Sequence, residues 1–362
     1  MQEGEFAMKR SFLFLCLFTL FLPHHLQARP FCSSCSIEAV MKKVADWQLA
    51  NPNHAPTDWT NGALYTGIMA LYLATEDDKY LNALLSISEG NKWNPGPRPR
   101  HADDHAVTQT YLELYMLKGE QRMIAPTIAT FDQMMAEPQP GRVDWWWCDA
   151  LFMAPPALAR LGAATGNTKY FEYMDKMWWD TTEYLYDPAE ALFFRDANYF
   201  NKKEKNGKKV FWSRGNGWVL AGTARVLDFL PDDYPTRARY EQLFQQMAAR
   251  IKTLQQSDGF WRPSLLDPGS YQGGESSGTG FYTYALAWGV NNKLLKRGEY
   301  EETIRKGWEA MVGAVDENGR LGWVQPIGYK PEKVGPNDTD VYGVGAFLLA
   351  GSELLKMETS AP

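Results

Sequence analysis

The chain has no positive charge to spare. Against 43 Asp and Glu stand 37 Lys and Arg, a formal charge of −6, and no run of basic residues makes a local excess. A nucleic-acid backbone therefore finds no electrostatic footprint here. Histidine is scarce, with five in 362 residues. His101 and His105 have no third ligand in view, so a metal centre, which needs three or four protein ligands, is not expected. No Gly-rich phosphate loop lies between a strand and a helix, which argues against a nucleotide fold, and no cofactor is expected. Cysteine is also sparse: Cys16, Cys32, Cys35 and Cys148 are all there is. The Cys32-Ser-Ser-Cys35 spacing suits a disulfide in an oxidising compartment, and lone Cys148 reads as a small buried filler. Past the N-terminus no stretch approaches the roughly 20 apolar residues of a membrane span.

What is there begins with a leader. Lys9-Arg10, the apolar run from Ser11 to Pro23 and a cleavage-like Leu26-Gln27-Ala28 read as a signal peptide over 1–28, with Met8 an alternative start. An exported, soluble protein is expected, with a single domain over 29–362. Nearly half of the residues are hydrophobic and 14% are aromatic, enough to bury a large core. The 14 tryptophans and 18 tyrosines equally suit stacking on sugar faces and filling that core.

From residue 36 the chain alternates two helical textures. One is amphipathic and charged, near 36–49, 78–90, 121–136, 168–181, 236–255 and 300–315. The other is nearly free of charge, near 61–74, 105–118, 149–163, 215–230, 276–291 and 340–356. A helix apolar all round is buried all round. The joints from uncharged to charged helix repeat a short Gly- or Asp-bearing turn followed by an aromatic, as in Thr165-Gly-Asn-Thr-Lys-Tyr170. Strand signals are weak and confined to connectors such as 191–195 and 259–262. The pattern predicts an all-α fold, an (α/α)6 barrel of six helical hairpins. Pro155 and Pro156 belong at a first turn or a kink, since proline in a helix interior costs on the order of 3 kcal/mol.

In such a barrel the inner helices all run the same way, so their N-termini open on one mouth, where positive helix ends favour an anionic ligand. The connectors into them are rich in polar and aromatic residues: Asp58-Trp-Thr-Asn-Gly62, His101-Ala-Asp-Asp-His105, Asp144-Trp-Trp-Trp-Cys-Asp149, Phe211-Trp-Ser-Arg-Gly-Asn-Gly-Trp218, Gly273-Gly-Glu-Ser-Ser277 and Asn337-Asp-Thr-Asp340. Any one of these polar residues serves equally well as an N-cap. Capping, however, asks for no neighbouring Trp or Arg. Asp149, walled by tryptophans, suits a general acid, and Asp104 on another hairpin suits its partner carboxylate. Arg214 offers a fork for a sugar carboxylate. Trp145, Trp147, Trp212 and Trp218 offer stacking walls.

Trp147-Cys-Asp-Ala-Leu-Phe-Met153, Asp104-His105 and Trp212-Ser-Arg-Gly-Asn-Gly-Trp218 together resemble the blocks of the unsaturated rhamnogalacturonyl hydrolases, glycoside hydrolase family 105, and their unsaturated glucuronyl relatives. The resemblance covers essentially the whole mature chain. It implies the (α/α)6 barrel. It also implies oligosaccharide substrates, such as lyase-cut pectin fragments, ending in a 4,5-unsaturated uronic acid. By resemblance Asp149 protonates C4 and helps water add at C5, while Asp104 orients water or substrate. Trp212, Arg214 and Trp218 then surround the unsaturated sugar, and Trp59, Asn61, His105, Trp145 and Trp147 add contacts. One departure stands out. Where some members place a histidine near the sugar, this chain reads Phe193-Phe-Arg-Asp-Ala-Asn198, which puts Arg195 or Asp196 there.

Two other readings use the same residues. A conventional inverting glycosidase would hold its two carboxyl groups roughly 6.5–9.5 Å apart with a water between them. A binding protein would keep the pocket without the chemistry.

Overall fold

A computed structural model describes residues 37–359 besides Met1. The signal peptide and the Cys32/Cys35 pair lie outside the described residues. Contacts divide the chain into a unit over 1–30 and a unit over 31–362, and every element below belongs to the second.

The helices run in order α1 (Ile37–Ala50), α2 (Trp59–Thr75), α3 (Asp78–Gly90), α4 (Thr108–Lys118), α5 (Ala125–Ala136), α6 (Gly141–Asp144), α7 (Ala150–Met153), α8 (Pro155–Thr165), α9 (Lys169–Leu185), α10 (Ser213–Leu227), α11 (Arg237–Lys252), α12 (Ser276–Asn291), α13 (Arg297–Val312) and α14 (Val341–Thr359). The six texture pairs stand where the sequence pattern places them. α2 packs on α4, α4 on α8, α8 on α10, α10 on α12, α12 on α14, and α14 returns to α2, which closes a ring. The charged helices α1, α3, α5, α9, α11 and α13 alternate with these along the chain, and the fold is an (α/α)6 barrel.

Burial follows the charge pattern. Every residue of α10 is buried, whereas α11 buries only one face, through Tyr240, Leu243, Phe244, Met247, Ala248 and Ile251. Inner helices approach closely where glycines meet. A Cβ on Gly67 of α2 would stand 2.5 Å from the Gly345 carbonyl oxygen of α14.

Two irregularities shape the third hairpin. Pro155 and Pro156 fill the first turn of α8, which splits the inner helix so that short α7 precedes it. Beyond α9 the chain makes a small antiparallel pair, β1 (Tyr186–Asp187) with β2 (Leu192–Phe193), that carries Arg195 back toward Asp149. The amide of Cys148 donates to the Arg195 carbonyl at 2.9 Å. Among the described residues no helix is long and apolar enough to cross a membrane.

Candidate active site

Asp149 sits immediately before α7 with no side-chain capping bond to the helix. Its carboxylate is nearly buried, at 8% exposure, and accepts from the Cys148 thiol, Sγ to Oδ1 3.2 Å. Burial raises its pKa above the ordinary aspartate value, and the nearby Arg195 and Arg214 oppose that rise. Gly215, in the first turn of α10, leaves it room: a Cβ there would be 3.6 Å from Asp149 Oδ1. A carboxyl group that is buried, biased toward its protonated form and not spent on capping is equipped to deliver a proton.

A second carboxyl group, that of Asp103, feels the charge of Asp149, whereas Asp104, expected as the partner carboxylate, is held by Arg98. Burial pushes Asp103 up to about 7, with the charge of Asp149 the next cause. His101 Nδ1 stands 3.5 Å from its Oδ2. Asp104 is spent elsewhere. It takes the Arg98 guanidinium at 2.7 Å and the Arg98 backbone amide at 2.5 Å, pinning the loop before the 3-10 turn Ala102–His105. Neighbouring positions of such a turn point about a third of a revolution apart, so two adjacent aspartates meet different surroundings.

The aromatic and basic residues sort into two groups. On one side the Arg195 guanidinium lies over Trp146, 5.0 Å from the ring centroid, and Trp146 touches Trp147, which in turn meets His101 at 4.8 Å. Trp146 is 40% exposed, whereas Trp145 is fully buried. The solvent-facing tryptophan of the triplet is thus Trp146, and Trp145 belongs to the core. On the other side Trp59 stacks on Tyr342 at 5.3 Å, and Trp218 packs beneath against Phe281, Phe152 and Trp59. Trp218 has no exposed surface, so it supports the wall from behind.

Arg214 is fixed between the Trp212 and Tyr342 rings, 4.5 and 4.8 Å away. Its two terminal nitrogens donate to the carbonyls of Gln325 and, at 2.9 Å, Pro326. Trp212 Nε1 donates to Gln325 Oε1 at 3.0 Å, and the Tyr342 hydroxyl donates to the Gln325 carbonyl at 2.5 Å. Trp212 and Arg214, expected beside the sugar, therefore clamp the segment ahead of α14 across the mouth. Both terminal nitrogens of Arg214 and the indole nitrogen of Trp212 are used there.

Two further residues expected at the sugar are engaged within the protein. The amide of Asn61 donates to the carbonyls of Asn53 and Ala55, which fastens the loop into α2. His105 is fully buried against Phe131, with Nε2 2.8 Å from the Pro99 carbonyl, and burial lowers its pKa to about 4. It packs inside the wall. Gln325 and Tyr342 stand outside the connectors that the sequence singles out, whereas Glu275 lies within one. Glu275 caps α12 through the Ser277 and Gly278 amides, and its Oε1 also takes the Gln325 amide at 3.3 Å. Among the described residues no group of three or more His, Cys, Asp or Glu is placed to hold a metal.

Residues 34–358 match the model of Glycosyl Hydrolase Family 88. An unsaturated 3S-rhamnoglycuronyl hydrolase of Formosa agariphila is 44% identical over 354 residues, 92% of this chain and 94% of that protein. A protein of the same description from Alteromonas sp. is 38% identical over 358 residues, 88% of this chain and 87% of its own length. A solved structure described as a polysaccharide lyase superposes with a TM-score of 0.85 at 34% identity, covering 90% of this chain and 98% of that one. The kinship with unsaturated uronyl hydrolases drawn from the sequence blocks agrees with the family match.

Proposed function

The chain belongs to glycosyl hydrolase family 88, and on that footing we propose that this glycosidase removes a 4,5-unsaturated uronic acid from the non-reducing end of oligosaccharides. The observation that carries the reading is the pair Asp149 and Asp103, both held toward the protonated form at one barrel mouth. Asp149 gives its proton to C4 of the enol ether, and the positive charge left at C5 is shared by the ring oxygen. Water adds at C5 and returns a proton to the carboxylate. The resulting hemiketal opens to a ketone, the C1 hemiacetal so formed breaks, and the rest of the oligosaccharide leaves as an alcohol. The proton goes to carbon, and no glycosyl-enzyme bond forms.

The sugar next in line is proposed to be rhamnose, as the names of both hydrolase relatives suggest for those proteins. Unsaturated fragments of rhamnose-containing glycans, pectic rhamnogalacturonan included, form the substrate class. The leader over 1–28 supports export to the periplasm or beyond.

The test is the ultraviolet absorbance of the conjugated double bond. Unsaturated disaccharides from rhamnogalacturonan, homogalacturonan and a rhamnose-linked glucuronan are each to be mixed with the enzyme, and the absorbance falls on the rhamnose-linked ones. Asp149→Asn lowers kcat by roughly 10³-fold or more while calorimetry still detects binding. The lyase description of one structural relative supplies the opposite outcome. A lyase acting on intact polysaccharide would make the absorbance rise, and that result would sink the hydrolase reading.

A further inference from the structure

The uronic acid of the proposed substrate carries a carboxylate that the mouth must recognise, and two arginines compete for it. Counting donors decides between them. Arg214 is 1% exposed, wedged between two rings, with both terminal nitrogens on backbone carbonyls. To bind a substrate carboxylate it would have to release the Gln325–Pro326 segment that it holds down. Only its Nε lacks a partner, and a single N–H makes no fork.

Arg195 is in the opposite condition. It is reached from solvent, at 16% side-chain exposure, and only Nη1 is engaged, donating to Asp196 at 2.7 Å. Its Nε is buried with no partner, and Nη2 donates no hydrogen bond among the described residues. Nε–H and Nη2–H lie on the same edge of a guanidinium and form the side-on fork that matches the two oxygens of a carboxylate. A buried donor left unpaired is costly, so this edge is built for a partner the polypeptide does not supply. Three constraints hold the fork in place. Asp196 fixes one end, the Trp146 ring lies under the guanidinium plane, and the Arg195 carbonyl is tied to the Cys148 amide next to Asp149.

Resting on the function proposed above, we infer that Arg195, through the Nε and Nη2 edge, binds the carboxylate of the unsaturated uronic acid, while Arg214 is a structural clamp. The arrangement has a chemical use. A carboxylate on C5 pinned beside Asp149 fixes the neighbouring C4 against the proton donor.

The experiment compares an unsaturated uronyl-rhamnose disaccharide with its methyl ester in wild type, Arg195→Gln, Arg195→Lys and Arg214→Gln. Both compounds keep the double bond, so one absorbance assay reads all of them. The wild type prefers the acid by roughly 10- to 100-fold in kcat/KM, mostly through KM, as expected for a charge-assisted pair. In Arg195→Gln the acid and the ester become equal to within about twofold, and Arg195→Lys recovers part of the preference, because an ammonium has charge without the fork. Arg214→Gln melts earlier yet keeps the preference for the acid. A well-folded Arg195→Gln that retains the full preference overturns the assignment, as does its loss in Arg214→Gln alone. Wild-type turnover of both compounds without discrimination overturns this inference and leaves the proposed function standing. A wild type inactive on both brings down the two together.

Discussion

Cys148 donates its thiol hydrogen to Oδ1 of Asp149 at 3.2 Å, the one side-chain hydrogen bond that the proposed proton donor receives among the described residues. Burial pushes the thiol pKa well up, so the sulfur stays protonated and stays a donor. A hydrogen bond to a carboxylate favours its charged form, which opposes the upward push of burial on Asp149. Cys148→Ala removes the donor, so the Asp149 pKa rises further. The acid is protonated below its pKa and is lost as pH climbs through it, so the alkaline limb of kcat/KM moves to higher pH. Cys148→Ser keeps a donor and holds the limb near its wild-type place. A pH–rate profile of the three proteins checks this, and an unmoved limb in Cys148→Ala rejects it.

Two adjacent aspartates give separable phenotypes. Burial and the charge of Asp149 push Asp103 up to about 7, and on the proposed function Asp103→Asn reduces kcat by roughly 10²–10⁴-fold with little loss of stability at neutral pH. Asp104→Asn strips Arg98 of its partner and loosens the loop at Gly96, whose amide donates to the Asp104 carbonyl. About 1–2 kcal/mol of stability goes with it, the lower part of the charged-bond range because Arg98 is exposed. Chemical denaturation together with steady-state kinetics separates the two. If Asp104→Asn were the slower enzyme at equal stability, the assignment of the second carboxylate would revert.

These aspartates also mark where the sequence stops being legible. The barrel can be read from charge alone, because α10 and α12 carry almost none and a helix buried on all sides tolerates almost none. Which of Asp103 and Asp104 is held by Arg98 turns on the rotation of a four-residue 3-10 turn, and which of Trp145, Trp146 and Trp147 meets solvent turns on short α6 and the bend after it. Neither has a periodicity long enough to read. The roles of Arg214 and Asn61 escape for another reason. Both bond to backbone carbonyls, Arg214 in a distant segment and Asn61 in the loop ahead of its helix, and a carbonyl leaves no signature in a residue string.

Between about pH 4 and pH 7 two identified groups are expected to pull stability in opposite directions. The folded-state pKa of His105 is about 4 against an ordinary 6.5, so its contribution is present above 6.5 and is lost as pH drops toward 4. At 1.36 kcal/mol per unit the loss is on the order of 3 kcal/mol. Asp103 works the other way. Its folded value of about 7 exceeds the ordinary 3.8, so its contribution is full below 3.8 and is lost as pH rises toward 7. Asp103→Asn, which mimics the protonated acid, therefore stabilises the protein more at pH 8 than at pH 4. Melting temperatures of wild type and variant at the two pH values test the sign, and a gain that is larger at pH 4 contradicts it.

Gly215 separates room for chemistry from room for packing. It lies in the first turn of α10, where alanine is favoured over glycine by about 1 kcal/mol in a helix. A Cβ there would stand 3.1 Å from Cys148 Sγ and 3.1 Å from the Trp212 ring, tight enough that one of them must give by a few tenths of an ångström. The helix gain and the crowding cost, about 1–3 kcal/mol, largely offset each other. Gly215→Ala is therefore expected to melt within a few degrees of wild type, since about 1 kcal/mol moves a chain of this size by only some 2–4 °C. Activity responds differently. The same methyl group lies 3.6 Å from Asp149 Oδ1 and presses on the sulfur that bonds it, so it takes space beside the proton donor and turns the carboxylate. A displacement of that order at a reacting group costs up to about 10²-fold in rate. Kinetics and melting of this one variant decide whether the mouth is shaped around the Asp149 carboxylate: full activity with a normal melt would mean that the space beside it is idle.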